Sequence, residues 1–214
     1  IRLSLVGSEM CIRDRATTVE LSPGITARTL TGLGRLMDPP GPGESADLGK
    51  RTIARYDKRN TFADVLIVGA GPAGLAAARA AARTGARVIL AEQDFRLGGR
   101  ALASDETIDG QPAAAWIADV RAELETYEEC RILTRTAVVG AFDSNYFVAV
   151  ESRRDHLDGA PAEMSRQRLW HITAEQVVLG TGALERPLVF AHNDRPGVML
   201  ASSAASWLHR FGIL

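Results

Sequence analysis

The chain has 214 residues, a formal net charge of −1, 46% hydrophobic and 24% charged residues, and two cysteines. That length accommodates one sizeable domain and its core and excludes two full ones. The balanced charge leaves no field strong enough to hold nucleic acid or an anionic membrane.

Taken in chain order, the first stretch, "LSLVGSEMCIRDR" (3–15), has no initiating Met and no hydrophobic period past Val6. Leu5 to Asp14 back-translate as CTC GTG GGC TCG GAG ATG TGT ATA AGA GAC, which matches a transposase-end sequencing adapter. Residues 1–14 are therefore expected to be a non-native leader, with native sequence beginning near Arg15. Cys11 goes with the leader and Cys130 is left alone, which excludes an intrachain disulfide framework and fits a reducing cytoplasm.

"RATTVEL" (15–21) has the β-branched content of a single remnant strand without a partner. Residues 38–60 are rich in Pro, Gly and charge and read as a linker, so 15–60 form remnant strand and linker. A compact domain is expected over 61–214, incomplete at its C-terminus. The most apolar run, 62–78, contains Asp64, Gly69, Gly71, Pro72 and Gly74 and falls short of the ~20 residues of a membrane span.

"DVLIVG" (64–69) predicts a strand buried on both faces of a parallel sheet. Pro72 and Gly85 bracket an Ala-rich helix, and "ARVILAE" (86–92) supplies the second strand of a βαβ unit. Helical spacing returns over 111–129. Strands are expected at "RILTR", "AVVGAFD", "YFVAVES", "RLWHIT" and "EQVVLG", with turns at Asp143-Ser-Asn and Asp158-Gly. A further helix is expected to start at Ala201 and to be still running at Leu214, while Arg153/Arg154 and Arg166/Arg168 read as solvated loop ends.

The chemical signal is Gly69-Ala70-Gly71-Pro72-Ala73-Gly74, a GxGxxG between a strand and a helix. In such a turn the first Gly makes the tight bend, the second lets a pyrophosphate approach the backbone, and the third lets helix pack on strand. The phosphates then meet N–H groups and the positive end of the helix dipole. Glu92 ends the second strand at about the 20-residue spacing expected of the carboxylate that accepts ribose hydrogen bonds, with Gln93 beside it. A carboxylate there repels a 2′-phosphate and favours NAD or FAD over NADP. Gly98-Gly99-Arg100 gives a second glycine turn, and "VVLGTG" (177–182) is a late strand ending on Thr181-Gly182. No paired cysteines, no metal-ligand spacing of histidines and no catalytic triad accompany these motifs.

This combination resembles the two-dinucleotide-binding-domain flavoproteins, an α/β class in which a Rossmann-like FAD/NAD(P)-binding domain with a parallel sheet is interrupted by a β-meander. "RATTVEL", "RYDKRNTFADVLIVGAGPAGLAAARAAARTGARVILAEQ", "RQRLW", "VVLGTGALERPLVFAHNDRPGVMLAS" and "LHRFGI" are similar to the alpha subunits of heterotetrameric sarcosine oxidases. The resemblance implies a fragment of an oxidoreductase acting on CH–NH donors, in a complex that demethylates sarcosine to glycine with formation of hydrogen peroxide. It implies beta, gamma and delta partner subunits, FMN and FAD elsewhere in the complex, and tetrahydrofolate bound only through a C-terminal domain absent here. It also implies NAD, with FAD as the alternative, held by Gly69, Ala70, Gly71, Pro72, Ala73, Gly74, Glu92, Gln93, Gly98, Gly99, Arg100, Thr181 and Gly182, none of them catalytic. Two other kinds of protein share the same glycine motifs: the FAD-dependent amine, opine or cyanide-forming dehydrogenases, and a non-catalytic dinucleotide-binding scaffold.

Overall fold

The computed structural model describes residues 55–154, 156–157, 161 and 163–212. The leader, the "RATTVEL" strand, the linker up to residue 54, the Asp158-Gly turn and the end of the chain at 213–214 lie outside the described residues.

Two strands of thirteen residues each, β1 (Tyr56–Val68) and β8 (Gln167–Leu179), run parallel to one another along nearly their full length. Around this pair stand β2 (Val88–Ala91), β5 (Cys130–Leu133), β6 (Thr136–Phe142) and β7 (Tyr146–Ser152), in the order β5-β2-β1-β8-β7-β6. β5, β2, β1 and β8 are parallel, while β6, β7 and β8 form an antiparallel meander. A small hairpin of β3 (Thr107–Ile108) and β4 (Gln111–Pro112) lies apart from this sheet.

The four residues of β2 are all buried because both faces of the parallel sheet are covered. On one face Val88 and Leu90 pack with Leu75, Ala78 and Ala82 of helix α1 (Pro72–Arg83) and Trp116, Ile117, Val120 and Leu124 of helix α2 (Ala113–Glu125). On the other, Leu66, Ile89 and Leu133 meet Phe147, Trp170 and Ile172 of the meander. Truncating a fully buried leucine such as Leu75 or Leu124 to Ala costs about 2–5 kcal/mol by loss of transfer energy and a residual cavity. The helices are tied together by Arg83, which donates to both oxygens of Glu123 at 2.6 and 2.9 Å.

The fold therefore has the expected α/β class, with a largely parallel sheet and a meander, and it differs in four details. β1 begins at Tyr56 and not near Thr61, because residues 56–60 pair with β8 far from the glycine turn. "RLWHIT" and "EQVVLG" are one strand, since Thr173, Ala174 and Glu175 contain no turn-forming residue and continue the register against β1. The last helix, α3 (Ala201–Ala205), continues as a π-type turn over Ser206–Arg210 and stops there. It closes at Gly212, whose N–H reaches the Leu208 carbonyl at a φ of 62°. Finally, Arg153 and Arg168 are not solvated loop ends. The Arg168 guanidinium grips Asp57 at 2.8–3.2 Å, and Arg153 approaches Asp57 and Glu151 at 3.6 and 3.7 Å.

Candidate functional site

The turn between β1 and α1 lies where the C-terminal ends of β1, β2 and β8 converge. Gly69 N–H donates to the Ala91 carbonyl and Gly180 N–H to the Val68 carbonyl, both at 2.8 Å. Gly69 has φ +97°, and a Cβ on it would stand 2.4 Å from the Gly180 carbonyl oxygen, so only glycine fits both the conformation and the space. A Cβ on Gly74 would lie 1.9 Å from the Gly69 oxygen, which is how closely α1 packs on the turn. Gly71 is different: its Cβ position has nothing within 4 Å. It caps α1 with no side-chain hydrogen bond, Pro72 follows at the first helical position, and no acidic residue sits in the first turn. The positive end of the helix is thus left uncompensated by its own first turn, as an anion site requires.

A second glycine turn faces the first. Gly98 N–H donates to the Ala70 carbonyl at 2.8 Å, and the Cβ position of Gly99 lies 3.0 Å from the Cα of Gly71. Glu92, only 7% exposed, locks the two turns together. Its Oε2 accepts Ala70 N–H at 2.7 Å and its Oε1 accepts Asp94 N–H at 2.9 Å. A carboxylate offers about four acceptor positions, so two of these bonds leave capacity for hydroxyl donors. The result is a cradle open at Gly71, walled by backbone and closed at one end by a fixed carboxylate. It can receive a pyrophosphate against N–H groups and a ribose against Glu92.

The remaining sequence candidates distribute around this cradle. Ala70 is buried, Ala73 and Gln93 are exposed, and Arg100 projects from a short 3₁₀ turn over Gly99–Ala103. Thr181 is drawn beside Gly69, its nitrogen 3.2 Å from that residue's Cβ position, while Gly182 follows in an exposed segment with φ +71°. Glu185, farther along, accepts Ser202 N–H at the start of α3. Hydrogen bonds from Ser202 hold its carboxyl below the ordinary range, with the Arg100 charge adding to the effect. Cys130 begins β5 half-buried, and burial pushes its thiol up, the opposite of an activated nucleophile.

Sequence reasoning missed three residues at the Glu92 end. Asp94 pairs with Arg210 of the last helical turn at 2.7 Å, and the guanidinium groups of Arg96, Arg135 and Arg210 lie 5.1–5.6 Å from the Phe95 ring centroid. An Asp two positions after the strand-ending acid was the only local signal; the partners come from β5–β6 and the last helix. Among the described residues no group of three or more His, Cys, Asp or Glu side chains could hold a metal, and no helix is long and apolar enough to cross a membrane.

Comparison with known proteins places this geometry. The alpha subunit of sarcosine oxidase from Corynebacterium sp. (strain P-1) is 52% identical over 200 residues, which is 92% of this chain and 20% of that protein. The first of the two lettered subunits of opine oxidase from Agrobacterium tumefaciens (strain Ach5) is 31% identical over 77% of this chain and 32% of its own length. The chain thus spans about a fifth to a third of these curated relatives. Among solved structures, L-proline dehydrogenase from P. horikoshii superposes with a TM-score of 0.59 at 28% identity, covering 73% of this chain and 30% of that one. The family profile described as FAD dependent oxidoreductase matches residues 64–174, just over half of the chain and the whole run from β1 through the meander, so the chain belongs to the FAD-dependent oxidoreductases.

Proposed function

We propose that this chain is the dinucleotide-binding part of an oxidoreductase subunit of the sarcosine oxidase type. The observation that carries the reading is the cradle itself: two facing glycine turns, open at Gly71 and closed by Glu92, at the uncompensated N-terminus of α1. The backbone of Gly69 to Gly74 and of Gly98-Gly99 would hold the pyrophosphate, Glu92 and Gln93 the adenosine ribose, and Arg100, Thr181 and Gly182 the far side of the ligand. The dinucleotide supplies the hydride-accepting ring; the residues of the cradle bind and orient, and none of them is assigned a proton transfer.

The ADP half is common to FAD and NAD. The family match favours FAD, whereas NAD, which the resemblance to the sarcosine oxidase alpha subunits implies, rests on that resemblance alone. The whole-protein activity in this reading is oxidative demethylation of sarcosine in a cytoplasmic, multi-subunit assembly, supported by relatives that are themselves named as subunits. An opine-oxidising complex is the second reading and has lower identity in its favour. The dinucleotide-binding unit is proposed to run from residue 61 to the end of the chain, with the first part of β1 added to it.

The test is to purify the full-length subunit, denature it, and weigh the released nucleotide. FAD or NAD supports the reading and decides between the two, while release of neither from a folded protein, with no uptake of either on titration, would sink it. Oxidation of sarcosine in preference to opines by the assembled complex would separate the two activities.

A further inference from the structure

We propose that Arg210 is a positioning residue for the dinucleotide, acting through Asp94 to hold the Glu92 carboxylate in its ribose-accepting orientation. This rests on the dinucleotide reading of the cradle and adds to it a role for the last helical segment, which lies 118 positions beyond Glu92 in the sequence.

The chain of contacts is continuous. Arg210 Nη2 meets Asp94 Oδ2 at 2.7 Å, with only 13% and 16% of the two side chains exposed. The other oxygen of Asp94 accepts Phe95 N–H at 2.7 Å, which fixes the turn so that the backbone N–H of Asp94 points back to Glu92 Oε1 at 2.9 Å. Glu92 in turn grips Ala70 N–H in the glycine turn. Phe95 sits under this bracket, with the guanidinium groups of Arg210 and Arg135 5.6 and 5.1 Å from its ring centroid. Arg135 N–H also donates to the Asp94 carbonyl at 2.9 Å, and Thr136 N–H to that of Glu92 at 2.7 Å.

The electrostatics explain why a cation is needed. Glu92 and Asp94 are two carboxylates in one tight turn, both largely withdrawn from solvent. Without Arg210, the Asp94 charge would be half-buried beside a second anion, and the turn would open to hydrate it. Opening the turn moves the Asp94 N–H away from Oε1 and frees Glu92 to rotate. The neighbouring His209 Nδ1 lies 3.3 Å from Asp105 Oδ2, a second contact between the same helical segment and the same loop.

The experiment uses the full-length subunit, stripped of nucleotide and titrated separately with FAD and with NAD. Arg210→Gln is expected to weaken binding of the accepted dinucleotide about tenfold, equivalent to roughly 1.4 kcal/mol, and Arg210→Lys to recover part of that loss. In a Glu92→Ala background Arg210→Gln should cost nothing further, because residues acting through one another are non-additive. Hydrogen exchange provides a readout independent of ligand: the amides of residues 93–96 should exchange faster in Arg210→Gln while those of α1 do not change. Unchanged affinity, or a loss that simply adds to that of Glu92→Ala, would overturn the positioning role while leaving the dinucleotide reading intact. Failure of the wild-type subunit to bind either dinucleotide would remove both.

Discussion

Gly71 and Gly74 stand three residues apart in one turn and are glycines for opposite reasons. At Gly74 the missing Cβ is required by the protein: the atom would sit 1.9 Å from a backbone oxygen that cannot move without dragging β1 with it. At Gly71 the space is open, and φ −68°, ψ 179° is a conformation any residue adopts. The two substitutions should therefore separate folding from binding. Gly74→Ala is expected to destabilise the fold by about 1–3 kcal/mol, as overpacking of a close backbone contact does, seen as a lower urea midpoint. Gly71→Ala should leave that midpoint in place and reduce dinucleotide affinity, because its methyl group occupies the approach of the pyrophosphate. Equal effects of both on the midpoint would show that the cradle is not open at Gly71. The roles of these glycines were legible from their spacing, and so was the placement of Glu92 at the end of β2. That Glu92 spends both oxygens on backbone N–H groups was not, since Ala70 and Asp94 become its donors only when two turns are brought face to face.

Strands are where the chain departs from its local signals. β1 and β8 read as short apolar runs at their C-terminal halves, yet both extend through polar residues, because the N-terminal halves are held by long-range pairs that no local window contains. Asp57 and Arg168 are the clearest pair: a fork of three hydrogen bonds binds residues 111 positions apart across the two strands. The hydrogen bonds from Arg168 hold the Asp57 carboxyl below its ordinary range, against a smaller opposing effect of burial, and Arg153 and Ser165 add to the lowering. A lowered carboxylate stabilises the fold above its unfolded pKa of about 3.9, and this contribution is lost as pH falls through the lower folded value. With Asp57 37% exposed, solvent screening limits the effect to roughly 1 kcal/mol or less. Asp57→Asn should therefore be less stable than wild type at pH 7, and the gap should narrow steadily below pH 4. Urea melts at the two pH values check this; a gap independent of pH would mean that the pair contributes nothing as an ion pair.

At the scale of the molecule, the covered and uncovered faces follow from the sheet order. The parallel strands have helices on one side and the meander on the other, but β7 leaves β8 at Thr173, so the last residues of β8 form an open edge. The class of this architecture was legible because βαβ units and alternating strands announce themselves locally. The open edge was not, since it depends on where one strand stops pairing with another. Beyond that edge the chain continues through Leu184, Leu188 and Val189, which are 92%, 80% and 95% exposed, and through Phe190, also exposed. Contiguous apolar surface of this kind next to unpaired strand N–H and C=O groups is a template for association. Expressed on its own, the 214-residue chain is expected to self-associate with rising concentration in sedimentation velocity and to bind a hydrophobic dye while folded. Leu188→Lys with Val189→Glu should reduce both without lowering the thermal midpoint, because neither side chain contributes to the core. A chain that stays monomeric across the concentration series, or a double substitution that leaves association unchanged, would show that this segment is not the adhesive surface and would shift attention to the open edge of β8 alone.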